Sequence, residues 1–389
     1  MQDKVTRKGA TPWKVGVMFS ETGVTAVIER TMGRATLLAI EEINASGGVR
    51  GCPIELIAID PCSDPKVFRK VAAQLLGEHG AQVIFGCYMS STRKATLPVV
   101  ERHNGLLFYP TLYEGFEYSR HCIYTGAAPN QNSQQLGRYL IENYGSRFYF
   151  IGSNYVFPYE SNRIMADLLR VGGGKVLEER YVPLSAQEED FEPIIAEIRK
   201  LRPDVVFSTV VGSGTAHLYH AFRKAGFDPA KTCIASLTTS EAEIAEMGTE
   251  AAEGHILAAP YFQSLPSKTN HAFVAKFQDR FGVDAPITAS AEAAYFQVHL
   301  FANALEICGA TEVEPMLEAL AGVQYDAPQG AVRIDPDNNH AFLWPRVGKV
   351  NANGQFDVVY ESRTPVKPDP YMVAFGDDAW QNFPPDNRG

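Results

Sequence analysis

Three features of the sequence predict an α/β fold of two doubly wound parallel-sheet lobes. Short β-branched or aromatic runs alternate with amphipathic stretches, and the alternation comes in two sets, the second beginning near residue 147. The length of 389 residues suits roughly two to three domains. Strands alternating with helices imply parallel sheets built from right-handed βαβ units, so two sets imply two lobes.

The elements follow in order. Residues 15–19 read as a strand, and 26–44 as a helix with Ala35, Leu38, Ala39 and Ile43 on one face, ended by Gly47 and Gly48. A strand at 54–60 leads to Asp64-Pro65, an N-cap and first-turn proline opening a helix whose Val67, Val71, Leu75 and Leu76 face inward. Strand 82–86 runs into Ser90-Ser91-Thr92, read as a helix cap, and strand 106–109 ends in Pro110-Thr111. The second set has strands at 148–152, 176–181, 205–209, 233–236 and 256–259, with helices at 159–171, 191–201, 216–224 and 240–247. Stretches 126–132, 258–262 and 325–330, rich in Ala, Pro, Gly and Asn, suit chain crossings between lobes, although loops within one lobe would look the same. After Arg363 the chain turns Pro- and Asp-rich, as in an extended surface tail.

Composition excludes several classes. Hydrophobic residues at 45%, charged residues at 21%, 32 Gly and 24 Pro rule out collagen, coiled coil and wholesale disorder. With 35 Lys+Arg against 45 Asp+Glu the net charge is -10, the wrong sign for a chain that neutralises phosphates. No apolar run has the length of a membrane span, and Met1 to Trp13 lack the apolar stretch of a signal peptide. A cytoplasmic location is therefore expected, with the periplasm as the alternative had a signal peptide been removed. The six cysteines form no C-x-x-C pair and suggest reduced thiols rather than a disulfide framework or a zinc site.

Open parallel sheets bind ligands beyond the carboxyl ends of their strands. Those positions are Ser20-Glu21-Thr22, Tyr88-Met89-Ser90, Tyr109-Pro110-Thr111, Ser153-Asn154-Tyr155, Val210-Val211-Gly212 and Thr238-Thr239. They offer hydroxyls and aromatic rings, without the Arg or Lys fork that grips a carboxylate or phosphate, and with Glu21 as their sole acid. A small neutral ligand fits, although each Ser or Thr taken singly is as readily a helix cap.

Catalytic patterns are absent. Gly172-Gly173-Gly174-Lys175 lacks the leading glycine of a P-loop, and Gly212-Ser213-Gly214 is not a nucleophile elbow. His217 and His220 are spaced for a metal but have no third ligand, Cys87 has no His placed beside it, and Glu188-Glu189-Asp190 reads as a solvated helix start. No enzyme, metal or cofactor is expected.

The stretches FSETGVT (19–25), GCYMSSTRK (86–94), YPTLYEGF (109–116), AAPNQN (127–132), IGSNYVFP (151–158), VFSTVVGSGT (206–215), ASLTTSE (235–241) and YDAPQG (325–330) closely resemble the AmiC-like cytoplasmic amide sensors, negative regulators of aliphatic amidase expression. The likeness runs from about residue 15 to about 371. It extends to urea and short-chain amide binding proteins of ABC transporters, within the type I periplasmic-binding-protein superfamily. The resemblance implies two lobes joined by three crossovers with a ligand cleft between them: 14–126 plus 260–324, 127–259 plus 325–363, and a tail at 364–389. It implies an amide site of Tyr88, Ser90, Tyr109, Thr111 and Tyr155, with Thr238 where amino-acid binders tend to carry an acid. Leu112 stands where the sensors have proline. Cys62 matches half of a disulfide found in extracellular relatives, but its partner position is Met89, leaving Cys87 as the alternative partner.

Two roles follow from the resemblance. A sensor would release an RNA-binding antitermination protein when amide binds, whereas a transport protein would deliver urea or amide to an ABC permease. An amidase would need a nucleophile that the sequence does not offer. A homo-oligomer stays open.

Overall fold

The computed structural model describes residues 11–373. The chain begins with β1 (Trp13–Met18), α1 (Ala26–Ala45), β2 (Ile54–Ala58), α2 (Pro65–Gly77), β3 (Val83–Gly86), α3 (Ser90–Arg102), β4 (Leu106–Tyr109) and β5 (Cys122–Tyr124). Asp64 caps α2 by accepting from Lys66 N, with Pro65 in the first turn. Contrary to expectation, Met89 is the N-cap of α3, so Ser90, Ser91 and Thr92 lie inside its first turn.

After a first crossing come α4 (Ser133–Asn143), β6 (Arg147–Ser153), α5 (Val156–Val171), β7 (Lys175–Val182), α6 (Glu188–Leu201), β8 (Val205–Thr209), α7 (Gly214–Lys224), β9 (Cys233–Ser236), α8 (Glu241–Met247), α9 (Thr249–Ala252) and β10 (Ile256–Ala259). The chain then returns through α10 (Lys268–Phe281), α11 (Ala289–Cys308), α12 (Val313–Ala321), β11 (Gln324–Ala327), β12 (Gly330–Asp335) and β13 (His340–Phe342), and ends in β14 (Arg346–Val350) and β15 (Phe356–Glu361).

Two sheets result, ordered β11-β12-β13-β5-β4-β3-β1-β2 and β15-β14-β10-β9-β8-β6-β7. Their centres are parallel, as expected, but each carries antiparallel strands toward one edge: β11-β12-β13 on the first sheet and β14-β15 on the second. The placement of 325–342 is a correction, because β11 to β13 extend the N-terminal sheet by pairing β13 beside β5. The third crossing therefore falls between β13 and β14, rather than at 325–330. The edge strands hold short, half-exposed sequences such as FDVVYE, whose pattern does not announce a buried strand.

Arg346 ties the crossings together. Its buried guanidinium donates to Pro260 O and, at 2.9 Å, to Gln329 O, while Nε bonds Glu361 at 2.8 Å. Two buried carboxyls brace the same region, Glu241 accepting from Gln263 N at 2.9 Å and Glu292 from Gln329 Nε2 at 2.7 Å. The expected tail is described only to residue 373. There Val366 bridges Leu343, Pro370 O accepts from Phe116 N at 2.8 Å, and Met372 packs on Ile164 and Leu168 of α5. The remainder of the tail lies outside the described residues.

Candidate functional site

The lobes meet across the cleft. Gly212, at φ +67°, comes so near that a Cβ there would lie 2.4 Å from Val24 O, an approach only glycine allows. The Arg163 guanidinium of α5 sits 5.2 Å from the Phe116 ring of the other lobe. At the hinge end of this closed cleft lies a cavity of about 40 Å³. Its walls come from the strand end at Tyr88, from the segment after β4 (Pro110, Leu112), from the crossings (Gly126, Pro260), from the start of α11 and from Leu237 and Thr238. No lining residue carries a charge.

Of the residues expected at the site, Tyr88, Leu112 and Thr238 line this cavity. Thr238 donates its hydroxyl to Val210 O at 2.8 Å. Leu112 packs against the cluster holding Leu136, Phe148 and Leu237. Tyr109 and Thr111 are buried behind the cavity wall: Tyr109 donates to Tyr88 O at 2.7 Å, and Thr111 faces Cys87 O at 3.4 Å. Tyr155 caps α5, and its ring lies 6.2 Å from that of Phe157. Burial raises the Tyr88 and Tyr155 hydroxyls well above the usual phenol range, so both stay neutral.

Ser90 has another partner. Its hydroxyl donates to Glu114 Oε2, a buried acid that also accepts from Arg93 at 3.1 Å. Arg93 is fully buried, paired with Glu117 at 2.7 Å and stacked 4.8 and 4.7 Å from the Tyr109 and Tyr113 ring centres. The Arg93 guanidinium belongs to α3 and lies behind the strand-end positions rather than among them, and its charge is spent within the chain. Although burial raises the Glu117 carboxyl, Arg93 and Lys94 hold it down to about 2. Arg93 sits three residues after Ser90 on one helix, a spacing that could have revealed it; nothing in YPTLYEGF marks Glu114 as buried.

Buried acids also flank the cleft. Glu29 accepts from Ser20 N at 2.8 Å and Thr25 Oγ1 at 2.6 Å, and Glu243 holds Ser240 by its N and Oγ at 2.8 and 2.5 Å. Burial pushes these carboxyls up to about 7 and about 8. Cys87 is enclosed and its thiol is pushed up to about 12 by burial, which leaves no thiolate for attack. Cys62 and Cys87 are unpaired, so the alternative disulfide is not formed. His220 lies 2.8 Å from Met247 O. Among the described residues no group of three or more His, Cys, Asp or Glu is arranged to hold a metal, and no helix is long and apolar enough to cross a membrane.

Residues 13–376 match the family model described as periplasmic binding protein domain. The Leu/Ile/Val-binding protein homolog 6 of Brucella suis biovar 1 is 23% identical over 342 residues, covering 84% of each chain. A limonene hydroxylase of Geobacillus stearothermophilus is 31% identical over 127 residues, which span 33% of this chain and 23% of that protein. Among solved structures, a solute binding protein of an ABC transporter from Rhodopseudomonas palustris HaA2, in complex with p-hydroxybenzoic acid, superposes with a TM-score of 0.84 at 22% identity, covering 94% of this chain and 100% of that one.

Proposed function

The chain belongs to the periplasmic binding protein family, and we propose that it is a solute-binding protein whose cleft encloses a small neutral amide or urea for delivery to an ABC permease. The observation that carries this reading is the interlobe cavity of about 40 Å³ with an uncharged lining. At roughly 10–15 Å³ per water-sized probe, it has room for about three waters, the scale of a four-heavy-atom ligand. A carboxylate or ammonium there would lose its hydration without gaining a counter-charge. The matching family model describes a periplasmic binding protein domain, which favours the periplasm over the cytoplasm, and the likeness to a solute binding protein of an ABC transporter favours the permease over an antiterminator as partner. Binding rather than catalysis suits a site whose nearby thiol is neutral and enclosed.

A second reading, a sensor that releases an RNA-binding antitermination protein, is favoured by the FSETGVT, GCYMSSTRK and YPT stretches. Both readings require the ligand to prefer the closed state. A thermal-shift panel of acetamide, propionamide, butyramide and urea against leucine and 4-hydroxybenzoate tests the shared premise. Stabilisation by the neutral compounds alone supports it, and stabilisation by the charged ones alone overturns it.

A further inference from the structure

Four hydroxyls on the cavity wall already have partners. Thr238 donates to Val210 O at 2.8 Å, Ser240 to Glu243 at 2.5 Å and Thr125 to Gln297 Oε1 at 2.9 Å, while Thr288 accepts from Ala291 N at 3.1 Å. Three lining groups differ: the Tyr88 hydroxyl, the Ser290 hydroxyl and the Asn132 side-chain NH₂ have no hydrogen-bond partner among the described residues. All three residues are more than nine-tenths buried, at 4%, 8% and 2% exposure. The orientation of the Asn132 carboxamide is fixed, because its Oδ1 caps α4 by accepting from Ser133 N and, at 3.1 Å, from Ser133 Oγ. Of the two carboxamide atoms only the oxygen can accept from a backbone N–H, so Nδ2 is the atom left over.

We propose that Asn132 and Ser290 are ligand-binding residues, with Asn132 Nδ2 donating to the ligand's carbonyl oxygen and the Ser290 and Tyr88 hydroxyls taking its N–H groups. This deepens the amide reading and rests on it. Buried polar groups in folded chains are almost always satisfied, and a planar molecule with one acceptor and N–H donors supplies what these three lack. Tyr88 and Ser290 belong to the N-terminal lobe, whereas Asn132 opens the first helix after the first crossing. One ligand touching all three would bind only when the lobes are together, which couples occupancy to closure. The chemistry is that of a primary amide or urea, since an N,N-dialkylated amide has no N–H for the hydroxyls.

The test is calorimetric titration of the full chain with acetamide and with urea, for the unmodified protein, Ser290→Ala and Asn132→Asp. The aspartate keeps the oxygen that caps α4 but removes the donor. Each variant should bind roughly tenfold more weakly, the loss of one hydrogen bond to a buried partner, with its melting temperature unchanged. If the unmodified protein binds and both variants match its Kd, this assignment is overturned while the amide reading stands. If the unmodified protein binds neither compound, the amide reading falls and this assignment with it. Ser290→Ala, with no bond within the chain to lose, decides the matter even if Asn132→Asp disturbs folding.

Discussion

The Tyr109 hydroxyl donates to the backbone carbonyl of Tyr88 at 2.7 Å, joining the ends of β4 and β3. The two tyrosines, adjacent on the expected site, thus have different work. Tyr109→Phe should lower stability by about 0.5–1.5 kcal/mol, one buried hydrogen bond, with the effect on amide affinity secondary. Tyr88→Phe should leave stability unchanged and weaken amide binding. Chemical denaturation and titration of both variants check the contrast, and a reversed pattern would contradict the assignment of roles.

Arg93 is the next test. Its guanidinium is fully buried between Glu114 and Glu117, so Arg93→Met leaves two acids facing each other without a cation. Breaking a buried ion pair by removing one partner costs about 3–5 kcal/mol. Urea is a candidate ligand, so guanidinium denaturation is the suitable measurement. A loss below 1 kcal/mol would show that the network is solvated.

The pH profile carries its own prediction. Burial raises Glu29 and Glu241 to about 7 and Glu243 and Glu292 to about 8. Between an ordinary carboxyl pKa and these values the folded state holds protons that the unfolded state has released, so stability falls as pH rises. Burial also lowers His255 to about 3 and His299 and His340 to about 4, which gives the opposite slope, but that contribution is half spent at pH 6.5 and fades about one unit above it. From 6.5 to 8.5 the four carboxyls outweigh it. The melting temperature should be lower at pH 8.5 than at pH 6.5, and calorimetric scans in matched buffers measure it. A rise across that window would contradict the burial of these acids.

The strands β1 to β4 and β6 to β10 and most helices between them were legible because they keep distinct hydrophobic periods, whereas β5, three residues long, and α4, beside the first crossing, were not read. The antiparallel strands β11 to β15 were not legible either: they run three to six residues, and the two at sheet edges, β11 and β15, bury one residue in four and one in six. At the site, strand-end logic pointed to Tyr88 and Thr238, which line the cavity. It could not reveal Ser290, which enters from the start of α11 far along the chain, nor the Asn132 carboxamide, whose stretch read as a crossing. Hydroxyls look alike in sequence; only their partners separate Ser90, bonded to Glu114, from Ser290.

Leu112 lines the cavity, so its side chain takes space that an amide's alkyl group would need. Leu112→Ala should shift preference toward propionamide and butyramide, each added methylene that fits contributing about 0.8 kcal/mol. In the unmodified protein a longer chain should bind less well, because forcing a methylene into a full site costs about 1–3 kcal/mol. Butyramide binding better than acetamide before any substitution would contradict this placement.

The central claim, a closed cleft for a small neutral amide, is tested most directly by calorimetric titration of the unmodified protein with acetamide and urea beside leucine and 4-hydroxybenzoate. Four heavy atoms at a ceiling near -1.5 kcal/mol each give about -6 kcal/mol, a Kd on the order of tens of micromolar. The account predicts saturable binding of acetamide or urea in that range or weaker, and no heat from leucine or 4-hydroxybenzoate. Micromolar or tighter binding of either charged compound, with none of the neutral ones, would contradict it.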